Sequence, residues 1–318
     1  MTEFTIVIES FNLTEGQGPS RWLTSLESAR ALARARGEVL IADVFGAPEF
    51  IAMLARDYPD VRRVDVAGMK YDEAKAIAAH VAFGEFVLFL DGDCVPQPGW
   101  LDAMLDDLRR HEDGGAAGYT RYDPGFYGSL MSVMDFGFFY PLESRPARCY
   151  ASNNSGFRRR VLVEVPVPTG EMRCLCYFHA CVLERRGTPM RLVPAARVTH
   201  ETPAFLPERT RHGYDTIAAA WTDPSLPERS WLALGVLSVP LFYMRDVWLD
   251  WRRTITGYRA LRLPQWQVAP ALAMFPLMRL ADVVGMLKAL TSGPVKGGWG
   301  GTAFGARRVS TPQGAQGA

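Results

Sequence analysis

The chain has 318 residues, room for one large domain or two modest ones, and its 48% apolar and 22% charged residues are the balance of a folded protein rather than a disordered one. Lys plus Arg number 35 and Asp plus Glu 34, a net charge of +1. No chain-wide basic excess exists to gather phosphate backbones, so a nucleic-acid partner is not expected.

The opening MTEFTIVIESFNL lacks the basic start and long apolar run of a secretory leader, so secretion is not expected. Phe4 to Ile8 reads as a first strand, and Trp22 to Arg36 as a helix with Trp22, Leu26, Ala29 and Ala33 on one face and Gly37 as its stop. Val39 to Ala42 reads as a second buried strand ending at Asp43, and Val61 to Val66 as a third. Tyr71 to Phe83 has helical composition and stops at Gly84. Phe86 to Leu90 is a five-residue apolar run bounded by glycines, which predicts a central strand.

That strand runs straight into Asp91-Gly92-Asp93. In open α/β sheets, ligands bind beyond the carboxyl ends of strands. Two carboxylates set there by a glycine suit oxygen ligation of a divalent cation; the alternative is a turn in which Asp caps loop amides. A proline-rich turn follows, then a helix from Leu101 to Arg110. Residues 114 to 140, rich in Gly, Tyr and Phe without clear period, read as a sheet edge plus a mobile loop. Asn153-Asn154-Ser155-Gly156 is a polar cluster ahead of a basic helix at Arg158 to Val165. Arg191 to Val193 reads as another strand, followed by Val198-Thr199-His200-Glu201. The alternation of short apolar runs with helices predicts an α/β domain, a single Rossmann-like mixed sheet flanked by helices, over residues 1–205.

Four motifs in this order resemble the family 2 glycosyltransferases, which have a glycosyltransferase A fold. They are Ile6-Val7-Ile8-Glu9-Ser10-Phe11-Asn12, Phe89-Leu90-Asp91-Gly92-Asp93-Cys94-Val95-Pro96, Asn153-Asn154-Ser155-Gly156-Phe157-Arg158-Arg159 and Leu192-Val193-Pro194-Ala195-Ala196-Arg197-Val198-Thr199-His200. The resemblance implies transfer of a sugar from a nucleotide diphosphate donor, a UDP-sugar or similar, to an acceptor hydroxyl, with Mg2+ or Mn2+ at the leaving diphosphate. It implies Asp93 as a direct metal ligand, Asp91 on ribose or metal, and His200 as a third ligand or else a structural histidine. Asp43 would face the uracil ring, Lys75 a phosphate or the base, and Asn153 or Asn154 a donor or acceptor hydroxyl. Glu9 stands where most relatives carry proline; it would contact the base or cap a turn.

An inverting transferase needs a base at the acceptor hydroxyl. Counting back from Gly187 places Leu175-Cys176 where the family carries an acidic pair. Glu171 upstream and His179 downstream are the nearest candidates; with neither, the chain would be a catalytically silent nucleotide-sugar binder of the same fold. Cys174, Cys176, His179 and Cys181 match no usual zinc spacing, so the cysteines read as small apolar packing groups. Five cysteines in all, odd in number, fit a reducing compartment.

Residues 206–291 are helical and strongly apolar. Trp231 to Met244 carries no charge, and Val268 to Leu290 carries Arg279, Asp282 and Lys288 at helical spacing. Amphipathic helices lying on the cytoplasmic face of a membrane fit this mix; a two-pass hairpin and a soluble helical cap are the alternatives. Membrane-attached members of the family act on lipid-linked or membrane-proximal acceptors. Residues 292–318, Gly-rich and without acids, read as a disordered tail.

Overall fold

The structure is a computed structural model that describes residues 2–13, 19–34, 36–168, 175–223 and 225–293. In chain order its strands are β1 (Phe4–Glu9), β2 (Gly37–Asp43), β3 (Arg62–Asp65), β4 (Phe86–Leu90), β5 (Cys94–Pro96), β6 (Gly115–Tyr122), β7 (Arg145–Ala147), β8 (Asn154–Arg158) and β9 (Met190–His200). They form one mixed sheet in the order β3-β2-β1-β4-β8-β6-β9-β5, with β7 added beside β9. The first four in that order run parallel. β8 is antiparallel to both of its neighbours, and β9 runs parallel to β6. The chain passes from β1 outward to β2 on one side and returns to β4 on the other. The carboxyl ends of β1 and β4 therefore flank the point where the winding reverses, the crevice in which such sheets take ligands.

Seven helices cover the sheet: α1 (Pro19–Ala33), α2 (Pro48–Asp57), α3 (Tyr71–Val81), α4 (Trp100–Arg110), α5 (Phe126–Phe136), α6 (Arg159–Glu164) and α7 (Leu175–Arg185). Because strand side chains alternate, Phe4, Ile6 and Ile8 of β1 join Trp22 and Leu26 of α1 and Leu105 of α4 in one core. Val7 joins Ala74 and Ala78 of α3, Met131 of α5 and Leu183 of α7 in the other. Trp22, Leu26, Ala29 and Ala33 are the buried face of α1, as their spacing predicts.

Two expectations need correction. Gly37 does not stop a helix: α1 ends at Ala33, and Gly37 opens β2, where a Cβ would meet the Phe4 ring at 2.3 Å. Residues 114 to 140 are not an edge and a loop but the interior strand β6 and the buried helix α5. β6 lacks a period because both its faces are covered, and Gly118 lets Asn154 cross it closely. Helix α2 and the three-residue β5 carried too little pattern to be anticipated.

Beyond the sheet come α8 (Phe205–Thr222), a 3-10 segment at Pro227–Ser238, α9 (Val239–Gly257) and α10 (Gln265–Ser292). Two helical stretches, Pro227–Gly257 and Gln265–Ser292, are long and apolar enough to cross a membrane by length and composition. Gly235, at φ 58, breaks the first of them. The tail from residue 294 lies outside the described residues.

Candidate functional site

The carboxyl ends of β1, β4 and β9 bring Glu9, Asp91, Asp93 and His200 together, with Lys75 reaching in from α3. Gly92 makes the turn between the aspartates. An ideal Cβ there would sit 2.1 Å from the Trp22 indole, whose Nε1 donates to Glu9 O at 2.9 Å, so a side chain would push the turn off its seat.

Asp91 is already satisfied. Lys75 Nζ, 1% exposed, pairs with its Oδ1 and donates to Ser152 O at 2.9 Å. Tyr71, one helical turn before Lys75, donates to the same carboxylate at 2.7 Å, and burial beside Asp91 raises its phenol well above the ordinary range. Lys75, expected to reach a phosphate or the base, is a buried counter-charge to Asp91.

Asp93 is different. Its Oδ1 is buried without a hydrogen-bond partner, and its Oδ2 lies 3.5 Å from His200 Nδ1. Burial pushes its carboxyl up to about 6, with His200 opposing and Asp91 adding to the rise. His200 Nδ1 donates to Glu201 O at 2.6 Å, so the neutral ring carries its lone pair on Nε2. Cys94 lies with these two in a cluster of ligand atoms within 4.8 Å of one another, but burial raises its thiol well above the ordinary range and keeps it protonated. An unpaired carboxylate oxygen and an oriented imidazole are a donor set that fits a hard divalent cation such as Mg2+ or Mn2+.

Glu9 is fully buried, with Oε1 accepting from Gly92 N at 3.1 Å and Asn12 Nδ2 at 3.2 Å. Burial first, and Asp91 second, push its carboxyl up to about 8, so it stands neutral among the acids at pH 7.

Other expected residues are placed elsewhere. Asp43 is fully buried: Oδ1 accepts from Phe45 N and Gly46 N at 3.1 Å, and Oδ2 takes Arg63 Nε at 2.7 Å. It shapes the turn after β2 and does not present its carboxylate to a ligand. Asn154 is a crosspiece, accepting from Trp100 Nε1 at 2.7 Å and donating to Ala196 O at 3.1 Å. Asn153, tied to Thr120 at 3.0 Å, stays next to the Ser152 carbonyl that holds Lys75. His179 does not reach an acceptor: it is fully buried, accepting from Tyr150 OH at 2.7 Å and donating from Nε2 to Val165 O at 2.9 Å. Burial lowers its pKa to about 4. Glu171 and Cys174 lie outside the described residues. Cys176 and Cys181, both half-buried on α7, form no metal-binding cluster with His179 among the described residues.

Three contacts escaped the sequence reading. Tyr71 was legible in principle, at i−4 from Lys75 on the same helix face. Ser152 and Arg21 were not. Arg21 donates to Asp93 O at 3.1 Å, to Thr199 O at 3.0 Å and to Asp123 at 3.1 Å, tying α1 to both metal-site strands across partners far away in the chain.

A sheet of this order, with paired acids at the reversal point, has the architecture of the glycosyltransferase A fold. Residues 23–165 match the model of "Glycosyl transferase family 2". No curated protein matches the sequence. Among solved structures the chain is similar to the mannosyltransferase PcManGT from Pyrobaculum calidifontis, in complex with GDP-Man and Mn2+. The TM-score is 0.59 at 15% identity, over 91% of this chain and 87% of that one. It also aligns with GalNAc-T7 bound to UDP, GalNAc and Mn2+, at TM-score 0.49 and 14% identity, over 71% of this chain and 52% of that one.

Proposed function

We propose that the chain transfers a sugar, with inversion, from a nucleotide diphosphate donor to an acceptor hydroxyl, and that the acceptor is lipid-linked or part of an envelope glycan. A UDP-sugar is the first choice of donor, and a GDP-sugar is the alternative suggested by the ligand of the Pyrobaculum structure. The observation that carries the reading is the buried, partnerless Asp93 Oδ1 beside the His200 ring. A divalent cation held by Asp93 and His200 supplies Lewis-acid stabilisation of the leaving diphosphate.

The chain's own residues divide the remaining work. Lys75 neutralises Asp91 and fixes it, so that only one carboxylate is left to bind the cation. Glu9, neutral, adds no further negative charge where a diphosphate must come. Asp43 holds the turn at Phe45 and Gly46 that borders the base side of the crevice, and Asn153 lies at the sugar side. Glu171, ahead of α7, is our proposal for the base. The α9–α10 pair would seat the enzyme on the cytoplasmic face of a membrane, near acceptors held there.

Calorimetric titration of UDP and of GDP, with and without Mn2+, tests this. Loss of even an outer partner of a metal ligand costs about 10–100-fold in metal affinity, so Asp93→Ala, which removes a direct ligand, should lose most of the Mn2+-dependent affinity for the preferred nucleotide. Equal binding by wild type and Asp93→Ala would overturn the proposal.

A further inference from the structure

A second polar cluster lies on the far side of Tyr122 from His200. A cavity of about 90 Å3 opens between the end of β6 and the turn that joins α9 to α10, lined among others by Tyr119, Arg121, Tyr122, Asp123 and Arg262. That is ample for a group larger than water, which needs about 10–15 Å3 on the same measure.

Arg121 and Arg262 line this cavity, and their charges, with that of Arg197, oppose the rise that burial gives the Tyr119 phenol. Among the described residues none of the three forms an ion pair, whereas Arg21, Arg63, Arg191 and Arg279 each do. Arg121 Nε is buried with no hydrogen-bond partner. Arg197 spends its Nε on Pro194 O at 2.9 Å, which leaves its charge uncompensated. Asp123, the acid in the lining, is already committed to Arg21 at 3.1 Å and to Thr202 N at 3.2 Å. The phenols of Tyr119 and Tyr140 bond to each other at 2.6 Å. Arg262 is, among the described residues, the one non-glycine held at positive φ, 54°. Its N–H donates to Arg259 O at 3.0 Å and Leu263 N to Tyr258 O at 2.9 Å, so it is the left-handed residue that closes the turn after α9, at the cavity's edge. Like charges collected without a counter-ion repel one another, and burial together with Arg262 and Arg197 disfavours the charged form of Arg121. An anion removes that penalty.

We propose that this cavity is an acceptor-side subsite for a phosphate-class anion, clamped by Arg121 and Arg262 with Arg197 behind them. Guanidinium forks match the several oxygens of a phosphate. The cavity shares Tyr122 with the metal site, whose His200 ring lies 5.3 Å from the Tyr122 ring, so a phosphorylated acceptor bound here reaches toward the donor crevice. The assignment to the acceptor rests on the transferase reading above; the anion site itself does not.

The test titrates inorganic phosphate, followed by phosphorus NMR, in EDTA so that no cation recruits it to Asp93. Wild type should bind, and Arg121→Gln combined with Arg262→Gln should bind about tenfold or more weakly, one lost charge-assisted contact being worth that much. Arg121→Lys, which keeps the charge, should recover part of the loss, and Asp93→Asn should change nothing. Thermal unfolding of each variant separates a lost site from a lost fold. Equal phosphate binding by wild type and the double variant, or none by wild type, overturns the proposal. Flotation with vesicles of neutral lipid and of neutral lipid plus phosphatidic acid identifies the source. A phosphatidic-acid preference that the double variant loses points to a lipid phosphate; an unchanged preference with weakened phosphate binding points to a soluble phosphorylated acceptor. Loss of nucleotide binding without loss of phosphate binding would instead count against the donor reading.

Discussion

Tyr71 and Lys75 stand one turn apart on α3 and both reach Asp91, which leaves Asp93 as the carboxylate with an oxygen to spare. The spacing of the two aspartates was plain in the sequence; their unequal roles were not, because the groups that distinguish them come from α3, from Ser152 and from β9. His179 shows the same limit from the other side. Its position near the expected base suggested chemistry, whereas its bonds to Tyr150 and Val165 make it a core histidine. Its pKa, lowered from 6.5 to about 4 by burial, carries a stability consequence. The folded state takes up the proton less readily than the unfolded chain, so its contribution is full above pH 6.5 and is lost as pH falls through about 4. A gap of that size corresponds to about 3 kcal/mol. His179→Gln should be less stable than wild type at pH 7.5, yet its thermal midpoint should fall less between pH 6.5 and 4.5. A loss of sugar transfer with unchanged stability and pH slope would return His179 to the catalytic candidates.

Strands β1, β2 and β4 and helices α1, α3 and α4 were legible because each has either an uninterrupted apolar run or a clean helical face. β6 was not, being glycine-rich and sandwiched, and β9 was read only at Arg191 to Val193, because it runs on through Pro194 with a register shift opposite Gly118 and Tyr119. The charges of α10 were read as the polar stripe of a surface helix; Lys288 is exposed, but Arg279 and Asp282 turn out to be buried. Arg279 forks onto Asp250 of α9 at 2.7 and 2.9 Å, and reaches Asp282 at 2.6 Å. Arg209 of α8 pairs with Asp135 of α5, which in turn accepts from Tyr122 at 2.9 Å. Gly213 and Gly285 let α8 and α10 touch backbone to backbone: a Cβ on Gly285 would lie 1.8 Å from Thr210 O. The helical region is thus bolted to the catalytic sheet by charge and by close contact. Arg279→Met strands Asp250 and Asp282 without their main cation, and breaking a buried pair in this way costs about 3–5 kcal/mol. The urea midpoint should drop accordingly. Converting all three residues to apolar ones should recover much of the loss, since the stranded charges go with it; a single variant as stable as wild type would show that the network is not structural.

At the scale of the molecule, that inward-facing network decides which way α9 and α10 present their apolar residues. Asp250, Arg279 and Asp282 are buried, Arg279 reaching Met134 O of α5, while Met244 (60% exposed), Trp248 (54%), Trp266 (74%), Leu277 (62%) and Leu280 (55%) are on the outside. Arg252 lies over the Trp248 ring at 5.5 Å, the pairing of aromatic body and cationic tip that suits a headgroup boundary. In a spanning hairpin the charged side would be paired inside the bilayer, whereas here Arg279 reaches Met134 O of α5 at 3.3 Å, beside the sheet. The pair should therefore lie along a membrane surface. Each of these side chains contributes about 1.5–3 kcal/mol when removed from water, so Trp248→Ser, Trp266→Ser and Leu277→Ser together should lower vesicle affinity by about a hundredfold or more. Co-sedimentation with vesicles reads that loss, and an alkaline carbonate wash should release the wild-type protein from membranes. Retention through the wash would establish a spanning hairpin instead. Indifference of wild type to vesicles, in a protein that is monomeric without detergent, would leave the outward face as a solvent-exposed cap and remove the membrane from the account of its acceptor.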